Sequence, residues 1–286
     1  LTVEADTELN VVNGETFSGS TEIAADKTLK LSGTGTFGST IDLEGTLEAG
    51  ANLTVSGLIS VAGNSAVSIP AAGTTLTYSG GDLNVGSHTL SIGGAGTFSN
   101  ATGSPLVLDV ADSILILTDN GTLSGPVKLE SGTLKSTGSP TVSGAMTQYS
   151  DATIEVSTNQ TLTYSGAPFS LGANTLTLTG GGTLVSGGLD LNNANSKLLL
   201  NSITVDSVST TIDNSLGVDV DNNSMITSLS VANITPVSIA SGKTLSGAIT
   251  VTAGSISLDE TGTLASTVEM SGGVLDADES STVSGG

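Results

Sequence analysis

Short runs in which apolar and polar residues alternate recur along the whole chain. Residues 28–31 (TLKL), 53–55 (LTV) and 175–178 (TLTL) are examples, and Gly, Asn, Asp or Ser bounds each run. This two-residue alternation between turn-forming residues is typical of a β-strand with one buried face. Helices are not indicated, because Gly, Ser, Thr and Val interrupt every 3.6-residue pattern. The sequence predicts many short strands, with residues such as Leu176 pointing inward and residues such as Thr177 pointing outward.

A local unit repeats along these strands. It consists of an aliphatic residue, a leucine six residues later and an apolar residue eight residues later, as at Ile23, Leu47 and Val156. Longer copies also exist. Residues 75–98 and 161–184 share 12 of 24 positions at an offset of 86 residues, whereas residues 121–145 and 262–286 share 11 of 25 at an offset of 141. Because the two offsets differ, the repeating unit is shorter than either.

A unit of roughly twenty residues predicts an all-β fold, a single-stranded parallel β-helix or β-solenoid. Each coil stacks on the next at roughly 4.8 Å, so that Val, Leu and Ile form inward ladders and Thr and Ser form outward ones. We expect one continuous solenoid over residues 1–286, with degenerate coils around residues 192–223. The alternative is an antiparallel β-sandwich array. It predicts hairpins at Asn-Gly pairs, of which the chain has only Asn13-Gly14 and Asn120-Gly121.

The two ends of the chain resemble each other, since Val3-Glu4-Ala5-Asp6 is similar to Leu275-Asp276-Ala277-Asp278. Solenoids normally carry polar caps, because an open end exposes strand edges and core. The sequence shows no such cap. We therefore expect the ends to stack head-to-tail on another copy or on further repeats of the same polypeptide. The candidate contact residues are Val3, Leu9, Val11, Leu275 and Val283.

Composition narrows the function classes. The chain has 42 Ser, 42 Thr and 38 Gly among 286 residues, and 27 acidic residues against six cations, all of them Lys. This negative field and the absence of Arg exclude a nucleic-acid binder, whose affinity comes from Lys and Arg. The absence of Cys excludes disulfides, thiolate metal sites and cysteine nucleophiles. No apolar run reaches the roughly 20 residues that span a bilayer, so we expect no membrane insertion.

The sequence predicts no catalytic residue and no cofactor. The single histidine, His88, lies at a turn, and the absence of Trp and Arg disfavours a polysaccharide-active enzyme. Thr-x-Thr pairs are too sporadic for an ice-binding face. Acidic residues two apart share one face of a strand and are candidates for binding Ca²⁺ through oxygen ligands. These weak calcium candidates are Asp219, Asp221, Asp276 and Asp278.

Six Asn-x-Ser/Thr sequons make the chain a candidate for N-glycosylation in a source that has the machinery. They begin at Asn52, Asn100, Asn120, Asn159, Asn222 and Asn233.

Residues 25–47 (ADKTLKLSGTGTFGSTIDLEGTL) and 171–184 (LGANTLTLTGGGTL) resemble the strand repeats of bacterial autotransporter passengers and haemagglutinin-like surface adhesins. This resemblance implies an extracellular or cell-surface parallel β-helix that serves as a stalk, fibre or adhesive surface, with no catalytic residues to carry over. The leading hypothesis is a non-enzymatic fibre, adhesin stalk or head-to-tail filament subunit. The alternative is a carbohydrate- or Ca²⁺-dependent binding module with host or biofilm glycans as partners.

Overall fold

A computed structural model describes residues 1–213, 215–233 and 235–284. Parallel strands stack as a β-solenoid of about 14 turns with roughly 20 residues per turn. Within the described residues there is no helix, and hence none that is long and apolar enough to cross a membrane. The strand-to-strand ladders of the described residues are parallel, as in Leu29 beside Leu47. The predicted solenoid is therefore confirmed, and the antiparallel sandwich is wrong.

The chain divides into two compact units, residues 1–146 and 147–286. The strands of the first unit are, in chain order, β1 (Thr2–Val3), β2 (Thr7–Asn10), β3 (Thr16–Phe17), β4 (Ser20–Ile23), β5 (Thr28–Ser32), β6 (Thr36–Phe37), β7 (Thr40–Leu43), β8 (Thr46–Ala49), β9 (Leu53–Val55), β10 (Ile59–Val61), β11 (Ser65–Ser68), β12 (Thr75–Tyr78), β13 (Leu83–Asn84), β14 (Thr89–Gly93), β15 (Thr97–Asn100), β16 (Leu106–Leu108), β17 (Ile114–Leu117), β18 (Thr122–Ser124), β19 (Val127–Leu129), β20 (Thr133–Ser136) and β21 (Thr141–Val142).

β22 (Met146–Gln148) contains the division between the units. The second unit continues with β23 (Ala152–Val156), β24 (Thr161–Tyr164), β25 (Phe169–Ser170), β26 (Thr175–Thr179), β27 (Thr183–Ser186), β28 (Leu189–Leu191), β29 (Lys197–Asn201), β30 (Thr204–Ser207), β31 (Thr210–Ile212), β32 (Gly217–Val220), β33 (Ser224–Val231), β34 (Pro236–Ile239), β35 (Thr244–Val251), β36 (Ser255–Leu258), β37 (Thr263–Met270), β38 (Val274–Ala277) and β39 (Thr282–Val283). The segment expected to be degenerate contains β29 to β32.

Each turn of the first unit contributes a strand to each of three faces. The first face contains β2, β5, β8, β11, β14, β17 and β20, the second face begins with β3, β6 and β9, and the third face begins with β1, β4, β7 and β10. The number of residues in a turn varies. Thr28 pairs with Thr46, which is 18 residues further along the chain, whereas Ser65 pairs with Leu90, which is 25 residues further. The variation is absorbed at the corners, where additional residues do not shift the strands.

The second unit also has three faces. Its first face runs through β23, β26, β29, β32, β34, β36 and β38. In its last three full turns the second and third faces are covered by single eight-residue strands, β33, β35 and β37. A register shift between Ile226 and Leu229 bends the first of these strands around the corner.

Side chains alternate across each strand as the sequence predicts. In β26, Leu176 and Leu178 are fully buried and Thr177 is partly exposed. Leu176 lies between Ala152 and Leu198 of the neighbouring strands, so each inward residue is covered from above and below. These ladders account for most of the buried apolar surface, which supplies the main driving force for folding.

Several aromatic residues lie in the interior of the solenoid. Tyr78, Phe98 and Phe169 are fully buried. Tyr78 stacks on Phe98 of the next turn with ring centroids 6.4 Å apart, and its hydroxyl accepts a hydrogen bond from Ile59 N at 3.4 Å. Burial raises the pKa of the Tyr78 hydroxyl above its usual value. A phenol therefore fits inside the coil because one backbone donor satisfies its oxygen.

Glycine is required at some corners by close approach rather than by backbone conformation. A Cβ atom on Gly57 would overlap the carbonyl oxygen of Ser39 in the preceding turn, and one on Gly80 would overlap the carbonyl oxygen of Gly57. Neither glycine has a positive φ. Other corners do use the left-handed region, for example Gly94 at φ 100°. Corner glycines therefore serve two purposes: some allow the backbone of the preceding turn to approach closely, and others adopt a left-handed backbone conformation.

A recurrent hydrogen bond links the corners of successive turns. In each case an Asp or Asn directly before a strand accepts a hydrogen bond from the backbone N–H of the threonine that begins a strand in the next turn. The pairs are Asp6 with Thr28 (2.9 Å), Asn52 with Thr75 (2.7 Å), Asn64 with Thr89 (2.9 Å), Asp151 with Thr175 (2.7 Å) and Asn223 with Thr244 (3.0 Å). The side-chain oxygen satisfies a backbone donor where the strand begins.

We expect Leu176→Asp to lower the free energy of unfolding of the second unit by at least about 3 kcal/mol, because it buries an unpaired carboxylate. Thr177→Asp, the matched control, adds the same charge on the outward face and should change stability by no more than about 0.5 kcal/mol. Thermal and urea melts followed by circular dichroism measure both. Equal effects of the two substitutions would contradict the observed orientation of β26.

We expect Asp151→Ala to cost about 1 kcal/mol, because Thr175 N then loses its acceptor. Asp151→Asn keeps the Oδ1 acceptor and should remain close to the wild type. Asp221→Ala removes an exposed carboxylate elsewhere in the same unit and serves as the second control. If urea melts show that Asp151→Ala and Asp221→Ala are equally stable, the corner hydrogen bond contributes nothing.

Candidate functional site

The last described turn of the second unit has one uncovered strand edge. Within the described residues β38 pairs only with β36, and β39 pairs only with β37. Val274 is 60% exposed, Val283 is 48% exposed and Leu275 is half-buried. Such an edge presents unpaired backbone N–H and C=O groups beside apolar side chains, which is a template for pairing with another strand.

The first turn of the first unit has the complementary edge. In the described chain β2 pairs only with β5, and β3 pairs only with β6. Leu9 and Phe17 are half-buried there, although Phe17 already stacks on Phe37 with centroids 5.2 Å apart. Leu9 and Phe17 are therefore apolar inward residues of this edge that remain partly uncovered.

Two of the five predicted stacking residues are already buried, with partners in the second turn. Val3 is 1% exposed beside Ile23, and Val11 is 8% exposed, with its N–H donating to Ser32 O at 2.8 Å. Leu9, Leu275 and Val283 remain uncovered to different degrees. Sequence reasoning missed Phe17 as an inward edge residue, and it missed the exposure of Val274, which lies at an outward position of β38 beside Ser255. The signal for Phe17 was its in-register match to Phe37, and no signal in the sequence showed the exposure of Val274.

The two edges present the same alternation of inward and outward residues. On β38, Leu275 and Ala277 align with the buried Ile256 and Leu258, and Asp276 between them points outward. On β2, Thr7 and Leu9 align with the buried Leu29 and Leu31, and Glu8 points outward. On the second face, Val283 aligns with Leu264, and Phe17 aligns with Phe37. Both edges thus offer matching positions to a parallel strand.

Negative charge is concentrated near both edges. Residues 1–26 contain six acidic residues, and residues 259–284 contain another six, so these segments hold 12 of the 27 acidic residues and none of the six lysines. The twelve are Glu4, Asp6, Glu8, Glu15, Glu22, Asp26, Asp259, Glu260, Glu269, Asp276, Asp278 and Glu279. The edges are therefore apolar inside and acidic outside.

The calcium candidates have separate surroundings. Lys197 Nζ forms an ion pair with Asp219 Oδ2, while Asp221 is exposed. Asp276 is exposed, and Asp278 Oδ2 accepts a hydrogen bond from Glu260 N at 3.0 Å. Across the described residues no three His, Cys, Asp or Glu side chains converge as a metal-ion site. A lysine ammonium is thus the cation beside Asp219.

The six sequon asparagines differ in access. Asn52, Asn120, Asn159 and Asn233 are exposed, and Asn222 is half-buried. Asn100 is only 4% exposed, and its Nδ2 donates to Ser104 O at 3.1 Å and to Pro126 O at 2.8 Å. Because N-glycans attach through Nδ2, the folded turn leaves no room for one at Asn100.

Comparison of the chain with protein-family models, with curated proteins and with solved structures finds no match in any of the three.

We expect Asn100→Asp to destabilise the first unit by about 2 kcal/mol at neutral pH. It replaces two amide hydrogen bonds with a buried carboxylate facing carbonyl oxygens. Asn120→Asp is the matched control, since Asn120 is exposed and its Oδ1 acceptor for Ser139 N survives the substitution. Thermal melts compare the two. Similar melting temperatures would show that the hydrogen bonds of Asn100 do not hold its corner.

Proposed function

We propose that this protein is a non-enzymatic structural element of an extracellular or cell-surface fibre. Its solenoid turns continue head-to-tail from residues 274–284 of one copy to the first turn of the next. Where the polypeptide is longer, further repeats make the same contact. The observation that carries the proposal is the pair of uncovered, parallel strand edges with matching inward positions. A head-to-tail contact that does not close produces a fibre rather than a ring.

The contact has a simple geometry. Continuing the parallel ladder places Thr7, Glu8 and Leu9 on Leu275, Asp276 and Ala277, and this register sets inward positions on inward positions. On the second face it places Phe17 on Val283. New backbone hydrogen bonds would satisfy the edge groups, and apolar residues that are partly exposed in each copy would lose contact with water.

The walls of the solenoid support growth at the ends rather than sideways. Outward positions are mostly Thr, Ser and charged residues, for example Thr28 and Lys30 on β5 and Thr175 and Thr177 on β26. The net charge of −21 opposes lateral contact between copies. Composition supports the non-enzymatic and surface-exposed parts of the proposal, since the chain has one histidine, no cysteine and a surface rich in Ser and Thr.

The test is concentration-dependent growth of the pure 286-residue chain at high salt, followed by light scattering and electron microscopy. We expect fibres of solenoid width. Val283→Asn should raise the concentration needed for growth several-fold, because it places an amide in the apolar contact. Val208→Asn is the matched control, since Val208 is 81% exposed and lies outside the last turn. Its growth should match that of the wild type.

Two outcomes would overturn the proposal. One is a monomer that shows no growth at any concentration or salt level. The other is growth that Val283→Asn and Val208→Asn weaken to the same degree, because the association would then not use the end of the solenoid. Circular dichroism of both variants checks that the fold is retained.

A further inference from the structure

Charged neighbours in register on the first face of the first unit are opposite in sign. Glu8 of β2 pairs with Lys30 of β5, with Oε2 and Nζ 3.7 Å apart, and Lys30 pairs in turn with Glu48 of β8. The sign therefore alternates over three successive turns. Such cross-strand pairs are favourable, whereas like charges directly opposite each other are unfavourable.

The head-to-tail join breaks this alternation. In the register that sets inward residues on inward residues, the outward Asp276 of one copy faces the outward Glu8 of the next. Both side chains are exposed, and neighbouring strands lie about 4.8 Å apart. The groups around Glu8 are Lys30, Asp6 and, one turn further, Glu48; those around Asp276 are Asp278, Asp259 and Ser257, its register partner. Lys30, already flanked by Glu8 and Glu48, is the one cation among them.

We propose that these carboxylates regulate the stacking of two copies of this chain. At neutral pH and low ionic strength, repulsion between the acidic edges holds copies apart, and salt or substitution of the facing carboxylates by amides allows the apolar edges to join. The inference rests on the proposed function and identifies its partner, a second copy, and its control, electrostatic screening. The apolar contact is short-ranged, whereas the repulsion acts over about 10 Å at 0.1 M salt.

The first experiment is a salt series on the wild-type chain at neutral pH, well above the sequence pI of about 4.1, where general precipitation would confuse the result. We expect monomers at about 10 mM salt and growth at about 500 mM, where the Debye length falls from about 30 Å to a few ångströms. Growth that is equal at both salt levels would overturn the regulation and leave the stacking proposal intact. No growth under any condition would overturn both.

The second experiment uses paired variants at low salt. Glu8→Gln combined with Asp276→Asn should lower the concentration needed for growth by roughly fivefold or more. The control, Asp112→Asn combined with Glu130→Gln, removes the same charge at exposed positions away from both edges. It should leave growth close to that of the wild type. If the control and the edge variant behave alike, net charge alone acts and the proposed pairing of Asp276 with Glu8 is wrong.

The third experiment reverses one charge. Asp276→Lys places a cation opposite Glu8, so growth should occur at low salt and weaken as salt is added. This dependence has the opposite sign to that of the wild type. An Asp276→Lys variant whose growth still increases with salt would overturn the proposed register. Because Asp276 is exposed on the last described turn, the substitution leaves the buried ladders untouched, and a thermal melt verifies this.

Discussion

The structure depends on one constraint, the parallel backbone ladder that joins each turn to the next. Every strand must find its hydrogen-bond partners in the turns above and below, about 4.8 Å away. Because the strands stay in register, Leu176 falls between Ala152 and Leu198, and apolar side chains meet along the interior. The core of each unit is therefore a set of ladders, and any residue that disturbs one turn disturbs both neighbours.

The corners between strands accommodate the variation in turn length that the ladder itself does not allow. Turn length changes between corners while the strands keep their pairing, so the corner residues must satisfy the backbone groups that the strands leave unpaired. Asp151 does so with a side-chain oxygen aimed at Thr175 N, and Tyr78 does so inside the coil by accepting from Ile59 N. Gly57 has a different role. The backbone of the preceding turn approaches this residue so closely that no side chain would fit.

The same ladder that stabilises the interior leaves one side of the strands in the first and last described turns without a neighbouring strand. In the proposed contact, an uncovered strand edge with Val283 exposed and Leu275 half-buried favours association. The concentration of carboxylates in the same segments opposes it. A balance between short-range apolar contact and longer-range repulsion links the acidic composition to the architecture, and it would let solution conditions decide whether copies join.

The sequence by itself determined the fold class, the length of a turn and the inward and outward faces of its strands, because alternation and repetition directly encode a parallel ladder. It could not determine which residues the neighbouring turns cover. Val3 and Val11 match the repeat pattern yet are buried in the first turn, while Val274 lies outside the pattern and is exposed. Asn100 begins a sequon, yet its side-chain amide is buried and donates two hydrogen bonds to backbone carbonyl oxygens. Burial and strand register arise from contacts between turns some 20 residues apart, and only the tertiary structure brings those residues together.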